Sequence, residues 1–157
     1  MCTEFAEAAP IFRQVFNMLG DNTEIYRFHI YRKSAKSRGR RIEVKGGHTL
    51  GDLDATIRDA FDYDWFDHLS EFYPGRAGHS EGFGEIYPDG GGPGGKKRIS
   101  SLGLQPGDRL EYIYDFGDYV QHVVELEVVG EPEKGVEYPR IVAKQKSRSK
   151  KSLDMED

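Results

Sequence analysis

The stretch "EIYRFHIYRKSAKSRGRRIEVKGGHTLGDLDATIRDAF", Glu24 to Phe61, reads as strand, strand, helix. Tyr26, Phe28 and Ile30 alternate with Arg27, His29 and Tyr31, the period-two pattern of a half-buried strand. "SAKSRGR" is a polar turn carrying Gly39, and "RIEVK" returns as a second strand, which makes a hairpin. Gly46 and Gly47 break that strand. Thr49 then stands as an N-cap with Asp52 in the first turn, where a carboxylate favours the helix dipole. Leu53, Ile57, Ala60 and Phe61 form the stripe that this helix buries.

Downstream, "DWFDHLSEFYPG" offers a strand ending at Pro74, and "GFGEIYP" a shorter one. "DGGGPGGKK" reads as a mobile, glycine-rich connection. "LQPGDRLEYIYDFGDYVQHVVELEVVGEP" supplies a long final hairpin. Upstream, Phe12, Val15, Phe16 and Leu19 fall at i, i+3, i+4 and i+7 between Pro10 and Gly20, one face of a further helix. The expected fold is α+β and β-grasp-like, in the ubiquitin-like order β-β-α-β. Its mostly antiparallel sheet is crossed by one main helix, with an extra N-terminal helix. The expected domains are a helical extension over residues 1–22, an α+β domain over 23–143 and a charged tail over 144–157 whose composition predicts disorder.

The chain has 157 residues, enough for one domain with a real core. Its 22 basic and 27 acidic side chains give a net charge of -5, so no global basic field gathers phosphate backbones and nucleic-acid binding needs a local patch. A single cysteine, Cys2, excludes an internal disulfide framework and any multi-cysteine zinc site built from this chain alone. No apolar run approaches the roughly 20 residues of a membrane span, and the acidic N-terminus has no signal-peptide pattern. The expectation is a cytoplasmic protein with no membrane partner.

"YIYDFGDYVQH", Tyr112 to His122, holds the candidate site. With Phe116 and Gly117 as the two central turn residues, Asp115 lies opposite Asp118 and Glu111 opposite His122 on one face. In that register Glu111 is the partner of His122 and favours its protonated form. Tyr112, Tyr114 and Tyr119 share the other face; Tyr112 is assigned to the core, and Tyr114 and Tyr119 are open between core and contact surface. Clustered carboxylates with an imidazole suit a hard metal or acid/base chemistry, yet aspartates also flank turns because they accept backbone N–H bonds. The candidate binding surface is Glu111, Tyr114, Asp115, Asp118, Tyr119 and His122, with Asp115, Asp118 and His122 as candidate metal ligands.

Other motifs carry less. "DFG" lacks every other kinase element, and "GGGPGGKK" departs from a phosphate-binding loop at Lys97 with no helix to follow. The five histidines have no H-x-x-x-H spacing, and no serine has a nucleophile-elbow setting. The tail "KQKSRSKKS" is locally basic but runs into acidic "LDMED".

"HTLGDLDATIRDAFDYDWFDHLSEF", "ISSLGLQPGDRLEYIYDFGDYVQHVVELEVV" and "EYPRIVA" together resemble the plasmid pRiA4b ORF-3-like family over Ile25 to Ala143. The family pattern Y-x-Y-D-F-G-D-x-W-x-H is matched by Tyr112, Tyr114, Asp115, Phe116, Gly117, Asp118 and His122, with Val120 in place of tryptophan. The cysteines that many members carry after Tyr-Pro-Arg are missing at Ile141 onward. The resemblance implies a compact α+β domain akin to the β-grasp; it implies no established reaction. Members are often labelled passengers of insertion elements, an association of naming and gene context.

The functional expectation is therefore a non-catalytic binding or interaction module without a cofactor. It would contact a protein or nucleic-acid partner of a mobile-element or nucleic-acid system near the hairpin turn. The alternative is a divalent-metal-dependent hydrolase built on Asp115 and Asp118, with Glu111 and His122 in support.

Overall fold

The computed structural model describes residues 22–64, 66–75 and 80–142. The helix expected at Pro10 to Gly20 and the charged tail lie outside the described residues. The elements in chain order are β1 (Ile25–Arg32), β2 (Arg40–Lys45), α1 (Leu50–Ala60), β3 (Ser70–Tyr73), β4 (Glu85–Ile86), β5 (Arg109–Tyr114), β6 (Val120–Gly130) and β7 (Arg140–Ile141), with short 3-10 turns between them. The first hairpin and the helix form where the periodicity places them. Thr49 and Asp52 close a reciprocal capping box: Thr49 Oγ1 accepts the Asp52 N–H at 3.1 Å and Asp52 Oδ2 accepts the Thr49 N–H at 2.9 Å.

The β-grasp expectation is overturned. The strands form one seven-stranded sheet in the order β4-β3-β5-β6-β1-β2-β7, antiparallel at every pairing and curled into a half-barrel. In a β-grasp the first strand pairs in parallel with a strand beyond the helix, whereas every pairing here is antiparallel. Here β3 pairs with β4 and β5, and the neighbour of β1 is β6. The reason is the length of β6: its 11 residues provide partners for β5 and for all eight residues of β1. A bulge at Arg27/Phe28, where Glu127 is the extra residue of β6, adds twist and helps the sheet curl. Nor does α1 cross the sheet centre; its backbone lies nearest β2, β7 and the Gly94–Lys96 turn.

One face of the sheet carries the core. Tyr26, Phe28 and Ile30 of β1, Ile42 and Val44 of β2, Tyr112 of β5 and Val124 and Leu126 of β6 pack with Leu50, Leu53 and Ile57 of α1. Phe61, assigned to the buried stripe, sits at the C-cap and is half-buried. The glycine-rich segment is packed backbone to backbone against the helix start and is not a loose connection. A Cβ on Gly51 would collide with the Gly90 carbonyl oxygen, and one on Gly94 with the Gly84 carbonyl oxygen.

Candidate functional site at the loop end of the sheet

The hairpin register differs from the expected one by one residue. Tyr114 pairs with Val120, Ile113 with Gln121, Tyr112 with His122 and Glu111 with Val123. The connection therefore runs from Asp115 to Tyr119, with both of those residues at positive φ, 66° and 56°. Asp115 holds the turn by accepting the Gly117 N–H at 3.0 Å on Oδ1. A one-residue slip exchanges the faces of a strand. Tyr112, Tyr114 and His122 consequently lie on the core side, and Glu111 on the opposite side.

The residues of the expected site are thus divided. Glu111 is bonded by Lys33 Nζ at 2.7 Å and Gln121 Nε2 at 3.1 Å. Asp115 faces His68, Oδ2 to Nδ1 3.5 Å. Asp118 and Tyr119 are exposed in the turn. Tyr114 stacks on Tyr63 with ring centroids 4.3 Å apart and donates to the Asp64 carbonyl at 3.1 Å. His122 is fully buried and meets none of the three carboxylates. Among the described residues no group of three or more His, Cys, Asp or Glu side chains could hold a metal ion.

Two polar networks hold this end of the sheet. In the first, the buried Asp54 carboxylate accepts from Arg58 Nε at 3.0 Å, Ser70 Oγ at 2.6 Å and the Tyr112 hydroxyl. Arg58, also buried, donates onward to the carbonyls of Asp67 at 2.9 Å and His68 at 2.8 Å, which pins the segment after α1. Burial raises the Asp54 pKa although Arg58 and three hydrogen bonds oppose it, and burial pushes the Tyr112 hydroxyl well above the usual tyrosine value. Every member bonds another member or the backbone, so this network is architectural.

The second network reaches the surface. The Tyr112 carbonyl can only accept, so His122 Nδ1, 3.2 Å away, carries the proton. Nε2 then accepts the Tyr63 hydroxyl at 2.7 Å, and the Tyr63 oxygen accepts Arg32 Nε–H at 2.8 Å. Burial lowers the His122 pKa to about 4, with a further push from the nearby Arg32 charge, so the neutral tautomer is the one at neutral pH. Burial also raises the Tyr63 pKa.

Arg32 opens onto a cleft of about 210 Å³ lined by Arg32, Ala35, Arg38, Arg40 and Phe61. Arg40 is held by Nε to the Ala60 carbonyl at 3.1 Å and Nη1 to the Arg38 carbonyl at 2.7 Å, with its guanidinium 5.0 Å from the Phe61 ring centroid. Arg32 lies 5.2 Å from the Tyr63 centroid. Among the described residues neither Arg32, Arg38 nor Arg40 has a carboxylate within ion-pair distance, whereas their neighbours Lys33 and Arg41 pair with Glu111 and Glu127. The signal for this cleft was in the sequence: Arg32 to Arg41 holds six basic residues and no acidic one. Reading "SAKSRGR" only as a turn hid it.

No described helix is long and apolar enough to cross a membrane. The chain is similar to the crystal structure of MM3350, a protein of unknown function from Methanosarcina mazei Go1, at 30% identity and a TM-score of 0.61, covering 77% of this chain and 69% of that one. No curated protein sequence matches it. Neither the family description nor this relative's title speaks of insertion elements or of a reaction. The family described as "Plasmid pRiA4b ORF-3-like protein" matches residues 24–152, and the chain belongs to that family.

Proposed function

We propose that the domain is a non-catalytic binding module that engages an anionic partner, of nucleic-acid kind, at the cleft between the β1–β2 loop and the end of α1. The observation that carries this is the set of three guanidinium groups, Arg32, Arg38 and Arg40, around Phe61 without a carboxylate partner among the described residues. Unpaired arginines gathered in a concave, partly aromatic site are matched to phosphate or carboxylate oxygens, which they bind through paired N–H donors. His122 has both ring nitrogens engaged by Tyr63 and Tyr112, and Asp115 is occupied by His68 and its own turn, so the hydrolase arrangement gains no support from geometry.

The test is anisotropy of labelled single-stranded oligonucleotides at several salt concentrations, with wild-type protein and Arg38→Ala. With at most three phosphate charges neutralised, the slope of log affinity against log salt should be no steeper than about -2 for a single strand. Arg38→Ala weakens binding and flattens the slope. Binding that is equal in the two proteins would place the contact elsewhere.

A further inference from the structure

Resting on that anion-binding proposal, we infer that the cleft is built for a phosphate monoester, carried on a mononucleotide or on the phosphorylated end of a strand, and that Tyr63 and His122 preset Arg32 for it. The first argument is a donor inventory. Arg32 spends Nε on Tyr63, and Arg40 spends Nε and Nη1 on carbonyls. Among the described residues, both Nη groups of Arg32, the whole fork of Arg38 and Nη2 of Arg40 make no hydrogen bond or ion pair. Three guanidinium charges, each with donors left over, match a doubly charged group with three terminal oxygens. An internal phosphodiester has one charge and two free oxygens, and a carboxylate likewise, so either leaves donors unused.

The second argument is the charge of the surroundings. The loop after α1 carries Asp62 and Asp64 directly beyond Phe61, and the neighbouring hairpin turn carries Asp115 and Asp118. A polyanion threaded across this end of the sheet would run from arginines onto aspartates, whereas a terminal phosphate needs the cleft alone. Phe61, beneath Arg40, gives the cleft an apolar wall suited to the sugar or base that bears the phosphate, and the Tyr63 ring lies under Arg32 beside it.

The third argument concerns Arg32. The chain from the Tyr112 carbonyl through His122 and Tyr63 to Arg32 Nε fixes one end of the guanidinium and leaves its two Nη groups to a ligand. A held arginine loses less freedom when it binds, so the chain raises affinity without touching the ligand. Tyr63 and His122 are therefore positioning residues.

The experiment is calorimetric titration of the full chain with a mononucleotide, inorganic phosphate, a phosphoserine peptide, and one oligonucleotide sequence prepared with a 5′-phosphate and with a 5′-hydroxyl. The expected result is that the 5′-phosphate strand and the mononucleotide bind at least tenfold more tightly than the 5′-hydroxyl strand, and that Arg38→Ala removes the difference. Tyr63→Phe keeps the ring stacked on Tyr114 and is expected to weaken the phosphorylated ligands about tenfold, the loss that goes with one charge-assisted hydrogen bond. The Arg32 Nε–H proton is expected to exchange more slowly in the wild type than in Tyr63→Phe, a difference that a role confined to fold stability would not produce. Equal affinity for the two strands, lost in Arg38→Ala, would overturn the monoester inference and leave the anion site standing. Binding of neither strand and of no mononucleotide would overturn both. Tighter binding of a phosphopeptide than of any nucleotide would overturn the choice of carrier.

Discussion

His122 makes the stability of the domain depend on pH in a direction set by its burial. Above pH 6.5, the ordinary imidazole value, folded and unfolded chains both carry it neutral and it contributes no slope. Between 6.5 and about 4 the unfolded chain binds a proton that the folded chain refuses, so stability falls as pH falls. At about 1.36 kcal/mol per pH unit the loss is ~2 kcal/mol at pH 5 and ~3 kcal/mol once pH 4 is reached. His29 and His48, both lowered by partial burial, add in the same direction, whereas Asp54, raised by burial, opposes. The His122 share is isolated by His122→Gln, whose amide can accept from Tyr63 and donate to the Tyr112 carbonyl without titrating. The assay is urea denaturation of both proteins at pH 7 and pH 5. The wild type should lose ~2 kcal/mol more than the variant over that interval. Equal losses in the two proteins, or an imidazole titration by nuclear magnetic resonance centred near 6.5, would refute the reasoning.

The buried Asp54–Arg58 pair predicts that Asp54→Ala costs about 3–5 kcal/mol in urea denaturation, because Arg58 is left as an uncompensated buried charge. Gly51→Ala drives a methyl group against the Gly90 and Gly95 carbonyl oxygens and should cost about 1–3 kcal/mol by the same assay, although alanine is the better helix former. Asp115→Asn/Asp118→Asn should leave any calorimetric response to Mg²⁺, Mn²⁺, Ca²⁺ or Zn²⁺ unchanged, since the two side chains and His122 do not converge; stoichiometric binding lost in the double variant would revive the metal hydrolase.

The local signals in the sequence were strong where one physical cause dominates. Alternation placed β1 and β2, and Thr49 with Asp52 announced the start of α1, because side-chain period and capping act within a few residues. The topology was not legible in the same way. The pairing of β1 with β6 joins residues about a hundred positions apart, and no local pattern distinguishes it from a β-grasp arrangement. The hairpin at Asp115 failed for a subtler reason. Asp-Phe-Gly-Asp reads as a two-residue turn through Gly117, yet Asp115 and Tyr119 take the left-handed conformation and lengthen the loop to five residues, which carries His122 into the core. That slip separates the imidazole from the acids and joins it instead to Tyr63 and Arg32. The cleft was half visible, as a density of arginines and lysines in a polar turn. Its closure by Phe61, from the far end of α1, belongs to tertiary structure.

The most direct measurement of the central claim is chemical-shift mapping of the ¹⁵N-labelled protein with a mononucleotide, following backbone amides and arginine Nε–H groups together. The account predicts saturable shifts confined to Arg32, Ala35, Arg38, Arg40, Phe61 and Tyr63, with the Asp115–Tyr119 turn little changed. Shifts centred on that turn, or none at millimolar ligand, would contradict it.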